Sequence, residues 1–210
     1  MLTEPSPISS SPYPGRWLFQ ESFFVCTVKK FGDTPGVRDI YAETVVDSNC
    51  KLGFAKVYPS INAMNGVDIL QGRVLPFYNR YDIRIERIFT PSTREYCGLA
   101  PIHPFETLLA TSLIEHQSVD PRSWMHVRPS EDFHHALSAE FFAPAIRKYS
   151  YRSFDKLQRD LDIFVEKYNH ERPYHDGSST GVTPFAMFLT AIGISSCGGQ
   201  APKVSFGGLR

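Results

Sequence analysis

Apolar side chains recur at helical spacing through the second half of the chain. Phe133, Leu137 and Phe141 follow one another at four-residue steps, which places them on one face of a helix that opens at Glu131. A second helix is predicted between Ser153, a favourable N-cap residue, and Pro173, which ends it. Its apolar stripe consists of Leu157, Leu161, Phe164, Val165 and Tyr168.

Further helices are predicted on either side of this pair. Residues 61–81 predict a long helix in which Pro76 bends the end. Residues 103–113 and 182–192 predict two short helices.

Strand patterns fill the first half of the chain. Residues 17–29 are dense in aromatic and β-branched side chains, and residues 39–46 and 52–58 predict two more strands. Short turns at 31–36 and 47–49 join the three as an antiparallel meander. Residues 84–89 predict a fourth strand that follows a helix and therefore runs parallel to an earlier strand, and residues 114–117 predict a fifth. The order predicts an α/β fold, a mixed five-stranded sheet flanked by helices on both faces.

Composition divides the chain and narrows the class of protein. Residues 1–15 are rich in Pro and Ser and predict a disordered leader or linker remnant, residues 16–192 form the core domain, and the Gly-rich residues 193–210 predict a flexible tail. Lys and Arg total 22 and Asp and Glu total 22, so the zero net charge argues against holding DNA by bulk charge, while a local basic patch stays open.

Cysteine usage and hydropathy bear on the compartment. Cys26, Cys50, Cys97 and Cys197 are far apart, form no metal-type pair and are predicted to be reduced thiols. No signal peptide and no apolar run of membrane-spanning length is present, so we expect a cytoplasmic protein with no membrane partner.

Several segments, taken in order, carry a family pattern over about residues 16–190. They include ESFFVCTVK, YAETVVDSNCKLGFAKVY, VLPFYNRYDIRIERIFT, REYCG, EDFHHALSAEFF and LDIFVEKYNHERPYH, followed by TPFAMF. The chain resembles the integrase catalytic core of bacterial insertion-sequence transposases, within the retroviral-integrase-like, ribonuclease-H-like superfamily. Residues 168–175 are similar to the family's Tyr-Asn-x-Glu-Arg-Pro-His signature. The resemblance implies a ribonuclease-H-like fold and DNA transposition or integration in the cytoplasm of a bacterium.

The resemblance also implies a catalytic triad. Family members use two Asp and one Glu to hold two Mg²⁺ or Mn²⁺ ions for in-line phosphoryl transfer. Here the three positions are Glu21, whose side chain is one methylene longer than Asp, Pro91, which has no side-chain ligand, and Glu131, which matches the family Glu at a helix start. We therefore expect metal not to bind productively and catalysis to be lost.

Each of these candidate residues also has an ordinary structural interpretation. Glu131 is also favourable as an acid near a helix N-terminus, and Glu21 as a strand-edge acid. Glu95 is a candidate to replace the missing carboxylate, although the family already has Glu there, and Asp47 fits ordinary turn chemistry. His134 and His135 are adjacent on a helix and point in different directions, so they do not bind one ion together.

DNA is the partner that the resemblance implies, with homo-oligomers as a further option. Arg94, Arg122 and Arg128 are candidates to line a DNA groove and Trp124 to stack on a base, whereas scattered Arg also occurs on solvated surfaces. Three functions stay open: an enzyme that compensates for the missing Asp, a non-catalytic DNA-binding module, and an inert remnant or oligomerisation module. The core is expected to contain the aromatic residues Phe23, Phe24, Phe54, Phe77, Phe89, Phe133 and Phe141.

Overall fold

The computed structural model describes residues 11–31, 34–98, 102–123, 130–148, 151, 153–174 and 181–194. Its sheet has five strands in the order β3-β2-β1-β4-β5. The strands are β1 (Trp17–Phe31), β2 (Thr34–Asp47), β3 (Gly53–Tyr58), β4 (Arg87–Pro91) and β5 (Glu115–Val119). β1 to β3 form an antiparallel meander, and β4 runs parallel to both β1 and β5. The predicted mixed five-stranded sheet is confirmed.

Helices occupy the segments in which helical periodicity predicts them. They are α1 (Ala63–Ile69), α2 (Leu75–Arg80), α3 (Pro104–Thr111), α4 (Glu131–His135), α5 (Ala143–Lys148), α6 (Phe154–Glu171) and α7 (Pro184–Ala191). Ser153 caps α6 as expected, because its side chain accepts a hydrogen bond from the backbone N–H of Lys156. None of the helices among the described residues has the length and apolar composition that a bilayer span requires.

Two π-helical segments each lie next to a proline. Leu70–Val74 joins α1 to α2 before Pro76, and Ala136–Phe142 joins α4 to α5 before Pro144. In both segments the last N–H reaches back five residues, from Leu75 to the Leu70 carbonyl and from Ala143 to the Ser138 carbonyl. Proline has no N–H to donate, and a widened turn beside it keeps the helix continuous. The sequence located an irregularity at Pro76 but not its form.

The two faces of β1 meet different helices. Successive strand residues point to opposite faces, so Gln20 and Glu21 lie on opposite sides of the sheet. Gln20 donates through Nε2 to the Gly66 carbonyl of α1 at 3.2 Å. On the other side, the Phe23 ring lies 5.0 Å from the ring of His134 in α4. Helices therefore cover both faces, and Glu21 points toward α4.

Most of the aromatic residues assigned to the core are buried there. Buried positions are Phe54, Phe77, Phe89, Phe133 and Phe141. Phe23 is half-buried, and Phe24 is 54% exposed, so its assignment to the core is wrong. The pairing of β1 with β4 ends at Phe19, and Phe24 lies beyond it on the long β1–β2 ribbon. A ribbon that is longer than its neighbours carries aromatic side chains beyond the packed layers.

The outer edge of β3 is bound by side chains of α6. Asn169 accepts the Gly53 N–H at 2.9 Å and donates to the Gly53 carbonyl at 2.8 Å. Gln158 accepts the Val57 N–H at 2.8 Å and donates to the Ala55 carbonyl at 3.4 Å. Side-chain amides therefore attach α6 to the backbone of an edge strand.

Asp47 joins the end of β2 to the beginning of the described chain. Its carboxylate accepts from the Asn49 N–H at 2.7 Å, as expected of an Asp in a turn. The same carboxylate also accepts from the Gly15 N–H at 2.7 Å and from the Tyr78 hydroxyl at 2.6 Å. Residues 11–15, which the sequence assigns to the leader, thus lie against this turn. Residues 1–10 and 195–210, which hold most of the predicted leader and tail, lie outside the described residues.

Candidate functional site

Glu21 is a buried carboxyl group that faces two side chains of the α4 region. Its exposed fraction is 7%. The Ser130 hydroxyl donates to Glu21 Oε1 at 2.8 Å, and His134 Nδ1 lies 3.3 Å from the same oxygen. Ser130 and His134 are four residues apart and share one helix face, so both reach the strand below. The carboxyl group of Glu21 is therefore enclosed by a hydroxyl and an imidazole.

Thr44 completes this hydrogen-bonded network from β2. Thr44 pairs with Glu21 across the two strands, and its hydroxyl donates to the Glu21 carbonyl oxygen at 3.1 Å. The Thr44 hydroxyl also lies 2.7 Å from His134 Nε2, and the tautomer of His134 decides which of the two donates.

Glu131 lies at the expected helix start but does not belong to this network. It is the first residue of α4 and is exposed. Successive helix residues are rotated by about 100°, so Ser130 and Glu131 point in different directions. The helix therefore presents Ser130 and His134 to β1, and Glu131 to the surface. His135 is exposed whereas His134 is buried, as their adjacency on a helix predicts.

Pro91 is the last residue of β4, where it pairs with Val119 of β5. The resemblance places the second Asp of the triad at this position. Proline offers no side-chain oxygen, so the strand end carries no ligand at Pro91 itself.

Glu43 is a second buried carboxyl group, on the opposite face of the sheet. It is 1% exposed, and its Oε1 accepts from the Tyr96 hydroxyl at 2.6 Å and from Gln20 Nε2 at 2.7 Å. The pKa of Glu43 is raised to about 7, chiefly by burial. The two hydrogen bonds lower this pKa, and the charges of Glu95 and Glu21 raise it. Glu43 is therefore a carboxyl group that changes its charge near neutral pH.

Glu95 lies on the same side of β1 as Glu43. Its Oε1 accepts from the Ser22 hydroxyl at 3.0 Å, and Ser22 pairs with Glu43 in the strand register. Because Ser22 and Glu21 are neighbours on a strand, Glu95 approaches β1 from the face opposite Glu21.

Metal-type ligands converge at one place among the described residues, and that place does not include the predicted triad. His, Cys, Asp and Glu side chains bring three ligand atoms within 4.8 Å of one another at Cys97, Glu106 and His116. Neither Glu21 nor Glu131 belongs to this group.

Two of the four residues predicted to contact DNA, Arg94 and Arg122, lie among the described residues. Arg94 follows β4 and Arg122 follows β5, and both are exposed. Trp124 and Arg128 lie outside the described residues, as does His175.

Sequence reasoning missed Thr44, Glu43 and the pairing of Ser130 with His134. The four-residue spacing of Ser130 and His134 was a usable signal, since it places both on one helix face. The register that brings Thr44 opposite Glu21 is a long-range property and has no local signal.

Known proteins resemble this chain in structure but not in sequence. No family model matches it, and no curated protein matches it. The sheet and its helices define a ribonuclease-H-like α/β fold.

Within that fold, the similar solved structures are of retroviral integrases. The catalytic core domain of BIV integrase superposes with a TM-score of 0.53 at 16% identity, covering 84% of this chain and 95% of that one. The HTLV-2 integrase catalytic core domain, solved with magnesium in a dimeric form, gives 0.54 at 10% identity, covering 84% and 97%. A chain of the simian T-cell lymphotropic virus intasome, solved with the PP2A regulatory subunit B56 gamma, gives 0.62 at 12% identity. The superposition covers 90% of this chain and 59% of the intasome chain. The chain has the fold of an integrase catalytic core.

Proposed function

We propose that this protein is a transposase or integrase core, derived from a bacterial insertion sequence, that has lost metal-assisted DNA strand transfer. The observation that carries the proposal is the enclosure of Glu21. Its Oε1 already accepts from Ser130 and contacts His134, so the first triad position is committed to an internal network. The integrase-core fold supports the class of protein, and the changed residues at the triad positions support the loss of activity.

The residues present do not fit a two-metal centre. Magnesium requires near-octahedral oxygen ligands at about 2.0–2.1 Å, chiefly from carboxylates. Pro91 supplies no side-chain oxygen, and Glu131 lies on the exposed side of α4. Glu21, Glu95 and Glu131 do not form a converging set of ligand atoms among the described residues.

An enzyme that uses Glu95 in place of the missing Asp is disfavoured by the strand geometry. Glu95 binds Ser22, and Glu43 pairs with Ser22, so both lie across β1 from Glu21. Two metal ions bridged by one substrate need ligands on the same side of the sheet. The acidic residues on the two faces of the sheet therefore do not form one metal centre.

The test is DNA cleavage by the purified full chain. With Mg²⁺ or Mn²⁺, nicking of supercoiled plasmid and strand transfer of oligonucleotides are expected to stay at the level of a protein-free control. Glu131→Ala is expected to change nothing, because Glu131 has no role in catalysis under this proposal. Robust metal-dependent cleavage that Glu131→Ala abolishes would overturn the proposal.

Restoring the ligands separates two ways of losing activity. The double variant Glu21→Asp with Pro91→Asp is expected to remain inactive, because Ser130 and His134 still face the first position. Far-ultraviolet circular dichroism establishes that the variant is folded. Recovery of cleavage would show that the enclosure of Glu21 is no obstacle and that the missing ligands alone silenced the site.

Self-association is a second candidate function, favoured by one exposed aromatic residue. Phe24 is 54% exposed on the β1–β2 ribbon, where its ring contacts that of Tyr41 at 5.6 Å. The HTLV-2 core, which has the same fold, was solved in a dimeric form. We propose that a second copy of the chain covers Phe24 and this face of the ribbon.

Light scattering coupled to size exclusion tests this interface. Wild type is expected to be dimeric and Phe24→Ser monomeric. The matched control is Ile163→Ser, which replaces a side chain of α6 that is 55% exposed and should leave the dimer intact. A monomeric wild type, or equal loss in both variants, would remove the interface.

DNA stays the partner proposed for a core that no longer cleaves. Arg94 and Arg122 are exposed, and a phosphate contact by each would steepen the salt dependence of binding, by about 0.9 in logarithmic slope. Gel shifts at low salt are expected to weaken in Arg94→Ala and Arg122→Ala. Failure of wild type to shift any duplex at low salt would exclude DNA as the partner.

A further inference from the structure

Cys97, Glu106 and His116 bring three different ligand types to one point. Their ligand atoms all lie within 4.8 Å of one another. Each residue comes from a separate element: Cys97 from the turn after β4, Glu106 from the first turn of α3, and His116 from β5. Cys97 and His116 are nineteen positions apart in the sequence, and Glu106 lies between them.

The group is separate from the Glu21 network. His116 pairs with Ile88, and Ile88 pairs with Leu18 on β1. Side chains alternate along a strand, so His116 lies on the face of Leu18 and Gln20, opposite Glu21. The position is therefore not that of the triad inferred from the resemblance.

The imidazole of His116 is oriented for coordination through Nδ1. Its Nε2 lies 2.9 Å from the hydroxyl of Thr90, which is fully buried, and Nδ1 lies 4.0 Å from Glu106 Oε1. A ring N–H that donates to a neighbouring oxygen leaves the other nitrogen free to bind a metal, which is the usual arrangement of metal-bound histidines.

The separation of the ligand atoms suits a tetrahedral ion better than direct hydrogen bonds. Four-coordinate zinc has Zn–S bonds of about 2.3 Å and Zn–N or Zn–O bonds of about 2.0–2.2 Å, which place its ligand atoms about 3.4–3.6 Å apart. The 4.0 Å between His116 and Glu106 is too long for a hydrogen bond and closes to the tetrahedral value with a small side-chain shift.

We propose that Cys97, Glu106 and His116 bind one zinc ion, with water in the fourth position. Thiolate, imidazole and carboxylate are all zinc ligands, and sites with three protein ligands keep the fourth position open. Binding replaces the thiol proton of Cys97, which passes to solvent. The ion ties the turn after β4 to α3 and β5, and this role is independent of strand transfer.

Cobalt substitution tests the proposal on the full chain. Chelator-stripped protein should bind one equivalent of Zn²⁺ and, with Co²⁺, should show the visible bands of a tetrahedral site and a thiolate-to-metal charge-transfer band. The charge-transfer band is expected to disappear in Cys97→Ser and to persist in Cys26→Ser, which changes a half-buried thiol of β1. Persistence of the band in Cys97→Ser, or no uptake of either metal at micromolar concentration, would overturn the proposal.

Two further variants keep the test decisive if Cys97→Ser does not fold. Glu106 is exposed, so Glu106→Gln should fold normally and lose affinity for zinc. Thr90→Val preserves shape but removes the oxygen that orients His116, and as a positioning change should weaken zinc binding by about 10–100-fold while the charge-transfer band remains. Unchanged zinc affinity in both variants would refute the assignment of these ligands.

Discussion

The buried carboxyl group of Glu43 should make the stability of this protein depend on pH in an unusual direction. Burial raises its pKa from the ordinary 4.5 to about 7. The native state then binds a proton more tightly than the unfolded chain does, so unfolding releases a proton between pH 4.5 and about 7. The contribution of Glu43 to stability is therefore fully present below pH 4.5 and is lost as pH rises through about 7.

The size of the loss follows from the width of that pH window. The window from 4.5 to about 7 corresponds to about 3 kcal/mol, at about 1.4 kcal/mol for each pH unit. Glu43→Gln removes the ionisation but keeps an oxygen that can accept from Tyr96 and Gln20. The free energy of unfolding of Glu43→Gln, relative to wild type, should thus rise by about 3 kcal/mol from pH 4.5 to pH 8.

Urea unfolding followed by circular dichroism at several pH values measures this difference directly. The exposed Glu171 of α6 gives the matched control, since Glu171→Gln should follow the wild-type curve at every pH. A difference between Glu43→Gln and wild type that stays constant from pH 4.5 to pH 8 would refute the argument, because it would mean that Glu43 titrates alike in both states.

Three further substitutions test packing and hydrogen bonding by the same unfolding measurement. Asn169→Ala removes both hydrogen bonds to the backbone of Gly53 and should cost about 2–4 kcal/mol, since buried backbone groups lose their partners. Gly53→Ala would place a Cβ 2.5 Å from the buried ring of Phe133 and should cost about 1–3 kcal/mol or more. Ser130→Ala removes a donor from the buried carboxyl group of Glu21 and should cost about 1–3 kcal/mol.

Each of these substitutions has a control at an open or exposed position. Gly72→Ala adds a methyl group where no atom lies within 4 Å, so it should be neutral or stabilising in its helical segment. Ser138→Ala and Lys167→Ala change exposed side chains and should stay within about 0.5 kcal/mol of wild type. A test substitution that costs no more than its control would show that the contact contributes nothing measurable.

The strands and the α6 helix were predictable because their signals are local. Aromatic and β-branched runs mark β1 to β3, and the stripe from Leu157 to Tyr168 marks the buried face of α6. Phe24 shows the limit of such signals. Both faces of β1 carry apolar residues, so the sequence does not tell where the neighbouring strand β4 stops covering it.

The secondary-structure elements that carry Glu21, Pro91 and Glu131 were predictable, but the contacts of Glu21 were not. The resemblance placed Glu21 on the first strand, Pro91 at the end of the fourth strand and Glu131 at a helix start, and the structure has each residue in that element. It did not reveal that Ser130, one residue earlier on the helix, takes the place facing Glu21. Likewise Cys97 and His116 looked unrelated, because only the parallel pairing of β4 with β5 brings them together.

The amide contacts of α6 also cover the outer edge of the sheet at β3. Without these contacts, the outward backbone groups of β3 at Gly53, Ala55 and Val57 could pair with a strand of another chain. Such pairing is how edge-to-edge aggregation begins. The side-chain amides of Asn169 and Gln158 bind these backbone groups from within the same chain. Asn169 therefore takes, with one side-chain amide, the donor and acceptor positions that a pairing strand would take at Gly53.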